Sequence, residues 1–391
     1  FVDWQNAVRV PTCARIEIRN CYLHDSGWQK PFADKYGDNI SMSNGRDIWI
    51  HNNVMENPGR WHISANSAQG LRIESNFFYT DSEAVLEAAG RPLAIPPYLD
   101  GDGDDLGLRS TALGAIDLEM GTRRTDCFDL VVTDNVMKGR CRTQATREHE
   151  IVANDEATCT LEGGTWDGTN CTLNPTHLGV TNVTFSNNIL DGNDRTGIST
   201  FGNGQECAGF KFTGVDNLVV TSNTLTNIQG GASLAFSNRK RMCENALIAN
   251  NSMQGQTSGI TISSVSGVVP QGLTNLTIAN NQISVTGSNS FPFELLNNKI
   301  FNLVLSGNNT LSDSWPVRYI SATGMVVTGN SFLHTGSTAA NTQFYCSTGS
   351  YFAGNSTDGS FRWTAVPEVL EAAQSFTAAP TATNPVVCTD T

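Results

Sequence analysis

Three ionisable residues lie on two short segments whose alternating pattern turns them away from the apolar side of a strand. In "RWHIS", Trp61 and Ile63 are the apolar alternates, which places His62 on the opposite face. In "AIDLEM", the same alternation places Asp117 and Glu119 outside. His62 would be the base that a lyase needs, and the two carboxyl groups would be the acid and base of a glycoside hydrolase. We therefore predict these three residues as catalytic candidates.

Charged residues on neighbouring segments would complete a polar patch around this group. Asp38 lies in "YGDNISM", Arg60 directly precedes "WHIS", and Arg195 lies in "DRTGIST". Stacked strands stand about 4.8 Å apart, so these predicted substrate-binding residues would lie beside the catalytic candidates, with the two arginines facing a sugar carboxylate. The alternative is that outward-facing residues on stacked strands are polar in any case, and that His62 is a solvated ion-pair member.

A run of aspartates predicts a second kind of chemistry. Asp100, Asp102 and Asp104 alternate in "DGDGDD", a spacing used in Ca²⁺-binding loops. The segment departs from the EF-hand pattern, with Asp105 where Gly is expected and Thr111 where the bidentate Glu is expected. A Ca²⁺ site and an acidic surface turn are both consistent with this run. Trp28, Trp49, Trp166 and Trp315 are further candidates, as platforms for sugar rings.

A repeated unit supplies the elements that would position these residues. Units such as "NVTFSNN", "NLVVTSN" and "NLTIANN" each combine alternating apolar residues with a closing asparagine. The closing residues are Asn20, Asn53, Asn76, Asn135, Asn188, Asn223, Asn251, Asn281, Asn308, Asn330 and Asn355. A second set of short alternating segments, such as "GISTF" and "GITIS", lies between them. The pattern predicts coils of about three short strands, each stacked on the next coil, with asparagines hydrogen-bonding along the axis at one corner.

These units resemble those of the right-handed parallel β-helix, or pectin-lyase-like, superfamily. The resemblance rests on the "NVTFSNNIL" and "NLTIANNQI" units and on the intervening "GISTF" and "GITIS" strands, over residues 14–357. It implies an all-β, single-stranded right-handed parallel β-helix of about eleven coils. The superfamily includes pectate and alginate lyases, polygalacturonases, sugar epimerases, phage tailspikes and non-enzymatic surface proteins, so the resemblance implies a fold and leaves the activity open.

Composition excludes some partners. The chain has 37 acidic and 24 basic residues and a net charge of -13, so phosphate backbones and anionic membrane surfaces would repel it. No stretch approaches the about 20 apolar residues of a membrane span. Ten cysteines favour disulfides and an oxidising, extracellular compartment. Spacing suggests pairing Cys127 with Cys141, Cys159 with Cys171, Cys207 with Cys243 and Cys346 with Cys388.

Insertions and ends interrupt the repeat. Residues 1–363 are predicted to form the β-helix with insertions at 80–114 and 138–178, and residues 364–391 a capping helix, "VPEVLEAAQSF", followed by a Thr/Ala/Pro-rich tail. The start at Phe1 without Met indicates a mature chain or an excised piece. Because a solenoid end is an exposed sheet edge, self-association through the loops or the N-terminal end is a further expectation.

Two functions follow from these patterns. Two insertions beside one polar face would form the walls of a groove for a polymer, which predicts an extracellular polysaccharide lyase or glycoside hydrolase acting on a glycan that contains neutral or uronic-acid sugars. The alternative is a non-catalytic surface, adhesive or filament-forming protein in which the coils are a scaffold. The two differ in whether His62, Asp117 and Glu119 converge in an open groove.

Overall fold

The structure is a computed structural model. It describes residues 7–24, 26, 37–58, 61–81, 114–119, 127–139, 144–147, 156–161, 165–168, 171–172, 180–192, 209–228, 232–238, 242–255, 258–264, 272–287, 291–295, 300–315, 317–336, 341–348, 350–357, 360–364, 369–372, 375–376 and 381–383. No helix in these ranges is long and apolar enough to cross a membrane.

Short strands make up the first half of the described chain, together with one short helix. In chain order they are β1 (Val8–Pro11), β2 (Ala14–Arg19), β3 (Tyr22–His24), β4 (Ile40–Ser43), β5 (Arg46–His51), β6 (Val54–Glu56), β7 (Trp61–Asn66), β8 (Gln69–Glu74), β9 (Phe77–Tyr79), β10 (Gly114–Glu119), β11 (Cys127–Thr133), β12 (Val136–Lys138), β13 (Gln144–Arg147), α1 (Glu156–Leu161), β14 (Thr165–Trp166), β15 (Cys171–Thr172), β16 (Val180–Ser186) and β17 (Ile189–Asp191).

The second half continues with strands alone. They are β18 (Phe210–Thr213), β19 (Val215–Thr221), β20 (Thr224–Ile228), β21 (Ala232–Asn238), β22 (Met242–Ala249), β23 (Ser252–Gly255), β24 (Ser258–Ser264), β25 (Gly272–Ala279), β26 (Gln282–Val285), β27 (Phe291–Leu295), β28 (Ile300–Ser306), β29 (Asn309–Ser312), β30 (Val317–Thr328), β31 (Ser331–His334), β32 (Asn341–Thr348), β33 (Ser350–Ala353), β34 (Ser356–Thr357), β35 (Ser360–Thr364), β36 (Val369–Ala372), β37 (Ser375–Phe376) and β38 (Thr381–Thr383).

These strands stack into three parallel ladders that run along one axis. The first ladder contains β1, β4, β7, β10 and β13, and resumes as β18, β21, β24, β27, β30, β32, β35 and β38. The second ladder starts at β2, β5, β8 and β11 and ends at β36, and β30 is long enough to belong to both. The third ladder stacks twelve strands from β3 to β37. Only the β14–β15 hairpin pairs antiparallel among the described strands.

The core is one continuous apolar column inside the three ladders. Alternate residues of each strand point into it, for example Leu218 and Val220 of β19 at 2% and 0% exposure. Phe185, Phe212 and Phe293 fill its width and are at most 1% exposed. Each fully buried side chain of this size stabilises the fold by about 1.5–3 kcal/mol.

An internal asparagine ladder marks the corner between the second and third ladders. Its members are at most 2% exposed and follow one another along the axis as Asn53, Asn76, Asn135, Asn188, Asn223, Asn251, Asn281, Asn308, Asn330 and Asn355. Each amide before Asn355 donates to the Oδ1 of the next member, as Asn251 Nδ2 does to Asn281 at 3.0 Å. Each also donates to a backbone carbonyl of the preceding coil, which for Asn251 is that of Val220 at 2.9 Å. The sequence pattern predicts this ladder correctly.

The first member of the predicted ladder is wrong by one residue. Asn20 is exposed and has a φ of 53°, so it occupies the left-handed turn position that precedes the ladder in each coil. The ladder position belongs to Cys21, whose N–H donates to Asn53 Oδ1 at 3.0 Å. The sequence does not separate the two positions here, because the first coil carries no second asparagine.

Two other expectations fail on described residues. The predicted capping helix over 366–376 is wrong, since β36 and β37 occupy that region and extend the second and third ladders. Parallel pairing with the coil below satisfies the strand backbone, and such tertiary context overrides the helix propensity of "EVLEAA". The Cys127–Cys141 pairing is also wrong, because Cys127 forms no disulfide. Cys159 is buried in α1, and its pairing with Cys171 stays a prediction.

Candidate functional site

Both ring nitrogens of His62 have hydrogen-bond partners. Asn39 Nδ2 donates to Nδ1 at 3.1 Å, which leaves the proton on Nε2, and Nε2 donates to Thr80 Oγ1 at 3.2 Å. Ser26 Oγ donates to Asn39 Oδ1 at 2.7 Å and so sets the orientation of that amide. The imidazole packs against the ring of Phe78 with centroids 5.4 Å apart. His62 is therefore held in one neutral tautomer within a hydrogen-bond network.

Burial removes His62 from solvent. Its side chain is 1% exposed, and desolvation lowers its pKa from 6.5 to about 3. A general base needs a pKa near the working pH and hydrogen-bond reach to a substrate proton. The surroundings of His62 favour a role in stabilising the fold.

The acidic candidates of the first ladder are buried as well. Asp38 is completely buried, and its Oδ1 accepts a hydrogen bond of 3.2 Å from the first backbone N–H of β7. Asp117 is 2% exposed and stands opposite Ser64. The backbone of Glu119 stands opposite Asn66, and its side chain lies outside the described part. The structure thus pairs β7 with β10, as the stacking of the coils predicts.

The expected open groove is not present along β7. All five positions from Trp61 to Ala65 are buried, so the face that carries His62 is covered as completely as the face that points into the core. Alternation shows which side chains point away from a core, but it does not show whether another segment covers them.

The remaining candidates lie outside the described residues, so the substrate contacts and the Ca²⁺ site stay predictions; these residues are Arg60, Asp100, Asp102, Asp104 and Arg195. Within the part of the chain that the structure describes, no group of three or more His, Cys, Asp or Glu side chains could hold a metal ion.

A different cluster of ionisable and aromatic residues lies on the outer face of the second ladder. Its members come from β2, β5 and β8, and we call them the Trp49 cluster: Glu17, Arg19, Trp49, His51, Arg72 and Glu74. Register sets them in two rows, Glu17–Trp49–Arg72 and Arg19–His51–Glu74. Neighbours in a row are about 4.8 Å apart along the axis, and the rows are about 6.6 Å apart along the strands.

The indole of Trp49 is fixed in place and still accessible. Its Nε1–H donates to Glu74 Oε2 at 2.7 Å. The His51 ring stacks on it, with centroids 3.9 Å apart and planes inclined by 22°. Trp49 nevertheless remains 40% exposed. The ring is therefore held in one place and open to contact from solvent.

Two hydrogen bonds fix the His51 ring in its stacked position against the indole of Trp49. Asn52 Nδ2 donates to His51 Nδ1 at 2.9 Å, so Nε2 carries the proton and donates to Glu17 Oε1 at 2.9 Å. Arg19 Nη1 lies 3.5 Å from the same carboxylate oxygen, in an exposed pair that contributes little stability. His51 is 7% exposed, so the groups that a ligand would meet are the indole, the carboxylates and the guanidinium groups.

The sequence carries the signal for this cluster. In "RIEIR", "DIWIH" and "GLRIE", the Ile and Leu residues are the inward alternates, and the residues between them are charged or aromatic. The same two positions further along the ladder hold mostly Val, Thr, Ser and Ala, as at Thr184 and Ser186 or at Val219 and Thr221. The concentration of charge at the N-terminal coils therefore occurs on the second ladder as well as on the first.

A cleft adjoins the start of the same three strands. It has a volume of about 310 Å³ and is lined by Thr12, Cys13, Ala14, Asn44, Arg46, Ser67 and Gln69. These residues come from three successive coils, from the turns between the first and second ladders and from the first residues of β2, β5 and β8. The cleft therefore adjoins the strands that carry the Trp49 cluster, at the same end of the molecule.

Comparison with known proteins gives structural likeness at low identity. No protein-family model matches the sequence, and no curated protein matches it. The surface adhesin PfbA of Streptococcus pneumoniae is 14% identical over 87% of this chain and 71% of its own, with a TM-score of 0.47. The A-module of the Azotobacter vinelandii mannuronan C-5 epimerase AlgE4 is 9% identical over 96% and 90%, with a TM-score of 0.28.

Endopolygalacturonase I from Stereum purpureum is 14% identical over 97% of this chain and 96% of its own, with a TM-score of 0.27. These likenesses concern the fold and assign no activity. The pairing of the strands themselves establishes the architecture, with three parallel ladders around one core. This chain is a parallel β-helix protein.

Proposed function

We propose that this chain is an extracellular protein that binds a polysaccharide through the Trp49 cluster and acts by attachment rather than by cleavage. The observation that carries the proposal is the indole of Trp49, which is fixed by Glu74 and His51 and yet 40% exposed. A ring held in one orientation loses little further entropy on binding. It suits the apolar face of a sugar ring.

Polar groups around the indole match the hydroxyl groups of a sugar. Glu17 and Glu74 supply carboxylate acceptors, and Arg19 and Arg72 supply guanidinium donors, all on one face. The two rows run along the axis of the molecule. A polymer lying along the rows would meet one residue of each row about every 4.8 Å.

The openness of this face favours binding over catalysis. Catalysis benefits from a site that excludes water and holds its polar groups in a region of low dielectric constant. The outer face of the second ladder at Trp49 supplies neither. On the first ladder, His62 and Asp117 are enclosed at 1% and 2% exposure, which supports a binding function on the second ladder over catalysis at these two residues.

A glycoside hydrolase is the second candidate, and one observation favours it. Glu17 and Glu74 are two carboxyl groups on the same face, with Trp49 and His51 between them. Glycoside hydrolysis uses a pair of carboxyl groups. The polysaccharide lyase that the sequence predicts would require an accessible His62.

A panel experiment separates these functions. Wild type, Trp49→Ala and Tyr351→Ala would be run through affinity gels that contain cellulose, chitin, xylan, mannan, polygalacturonate or alginate. Tyr351 is a matched control, since it is also 40% exposed and lies in the row of Trp49 at the far end of the second ladder. We expect at least one polysaccharide to retard wild type and Tyr351→Ala but not Trp49→Ala. Retardation of none of them would refute the binding function.

The same polysaccharides, incubated with the protein, would be assayed for reducing ends and for unsaturated products. The proposal expects neither. Reducing ends that disappear in Glu17→Gln or Glu74→Gln would establish the hydrolase instead. Unsaturated products that disappear in His62→Gln would establish the lyase.

A further inference from the structure

The outer face of the third ladder carries an apolar stripe over its first five strands. Register aligns one outward residue from each of β3, β6, β9, β12 and β17, and all five are apolar or aromatic: Tyr22, Val54, Phe77, Val136 and Ile189. Three of them are strongly exposed, Tyr22 at 56%, Val54 at 37% and Ile189 at 45%. The row is about 19 Å long, from four strand spacings. Adjacent exposed apolar residues of this kind mark an interaction surface.

The stripe ends abruptly. In the next strands the same row continues with Thr224, Ser252, Gln282 and Asn309. The second outward row of the first five strands carries His24, Glu56, Tyr79, Lys138 and Asp191. The apolar row is thus confined to five coils and accompanied over the same length by a row with charges of both signs.

The residues of the second row are arranged so that a two-fold rotation about the central strand β9 pairs each one with a residue of complementary chemistry. Rotation by 180° about an axis parallel to β9 reverses the order of the coils and leaves position along the strands unchanged. It sets Glu56 of one molecule against Lys138 of a second copy, and His24 against Asp191. Tyr79 meets its own counterpart. The oppositely charged pair and the imidazole–carboxylate pair both become complementary in one operation. A two-fold axis along the solenoid would instead set each of these residues against its own counterpart or against the apolar row.

The same two-fold rotation sets the apolar row of one copy against the apolar row of the other. Tyr22 would lie over Ile189, Val54 over Val136, and Phe77 over Phe77 on the axis. A patch that is complementary to itself in this way is the requirement for a two-fold symmetric dimer. We propose that this face is the contact through which two copies of the chain associate, antiparallel and face to face, about a two-fold axis through Phe77 and Tyr79.

The size of the stripe sets the strength of the contact. Two rows about 6.6 Å apart and about 19 Å long cover on the order of a few hundred Å² on each copy. A standard stable interface buries about 800 Å² on each partner, so this dimer is weak and forms at micromolar to millimolar protein concentration. The Trp49 cluster lies on a different ladder, so a dimer presents two such clusters and gains avidity for a polymer.

Charge reversal tests the arrangement. Sedimentation equilibrium would be measured from micromolar to millimolar concentration on wild type, Glu56→Lys, Lys138→Glu and the double variant. Each single reversal sets like charges opposite each other twice per dimer, so the dissociation constant rises about tenfold or more. The double variant restores opposite charges and brings the constant back to within about threefold of wild type. Far-UV circular dichroism shows that all four proteins are folded.

Three outcomes overturn the proposal. They are a wild type that remains monomeric at millimolar concentration, a dimer unaffected by both single reversals, and a double variant that associates no better than either single one.

A second measurement does not depend on charge. Phe77→Cys on the axis forms a disulfide-linked dimer under mild oxidation, whereas Thr224→Cys, in the same row but one strand beyond the stripe, does not. Equal cross-linking by the two variants would place the contact elsewhere.

Discussion

Acidification should destabilise this fold through His62. Burial lowers the pKa of His62 from 6.5 to about 3, so the unfolded chain binds one more proton than the folded chain between these values. Stability from this residue is complete above pH 6.5 and falls as pH decreases toward 3. The slope is about 1.36 kcal/mol per pH unit, which gives a loss of about 2 kcal/mol at pH 5. The loss at pH 5 is the same for any pKa of His62 in the folded chain below about 4.

The assay compares wild type with His62→Gln, which cannot titrate. At pH 7 the variant should be less stable by about 1–3 kcal/mol, because the hydrogen-bond network of Asn39, His62 and Thr80 is disturbed. Urea unfolding of both proteins at pH 7 and pH 5 then isolates the histidine, since all other titrating groups are common to the two. We expect wild type to lose about 2 kcal/mol more than His62→Gln over this interval. Equal losses of stability in the two proteins would refute the claim that His62 is buried and neutral in the folded chain.

Two further predictions concern stability, each measured by urea unfolding. Asn251→Ala removes a central member of the internal ladder and leaves its buried partners unsatisfied, so it should lower the free energy of unfolding by about 3 kcal/mol. The control Asn245→Gly, in an exposed position with a φ of 60°, should lower it by less than about 1 kcal/mol. Equal losses would contradict the role of the ladder. Phe293→Ala, at 0% exposure, should cost about 3–5 kcal/mol, and its control Phe301→Ala, at 39%, about 1 kcal/mol or less; similar values would contradict the position of the core.

The fold can be predicted because its determinants are local and repeated. Each coil presents inward alternates and an asparagine at the same corner, and a pattern present in ten coils survives an error in one of them. The misassignment of Asn20 is an error of this kind: it concerns one coil, and it arises because both adjacent turn positions accept a polar residue. The strand β36 was not predictable from "EVLEAA", because its conformation depends on pairing with β33, which no local pattern encodes.

The candidate site is less predictable for a physical reason. Alternation gives the direction of His62 and Asp117 relative to the core, whereas their burial depends on which other segments cover that face. At Trp49 the same alternation suffices, because the outer face of β5 is open to solvent there. The hydrogen bond that fixes the indole joins residues 25 positions apart in sequence, and only the register of the ladder brings them together.

The measurement that tests the account most directly is the affinity of three proteins for whichever polysaccharide retards wild type. Isothermal titration calorimetry on wild type, Trp49→Ala and Tyr351→Ala gives a dissociation constant for each. A stacked tryptophan contributes about 2 kcal/mol to binding, so we expect Trp49→Ala to weaken binding about thirtyfold and Tyr351→Ala to leave it within about twofold. A Trp49→Ala protein that binds as tightly as wild type would contradict the proposed site.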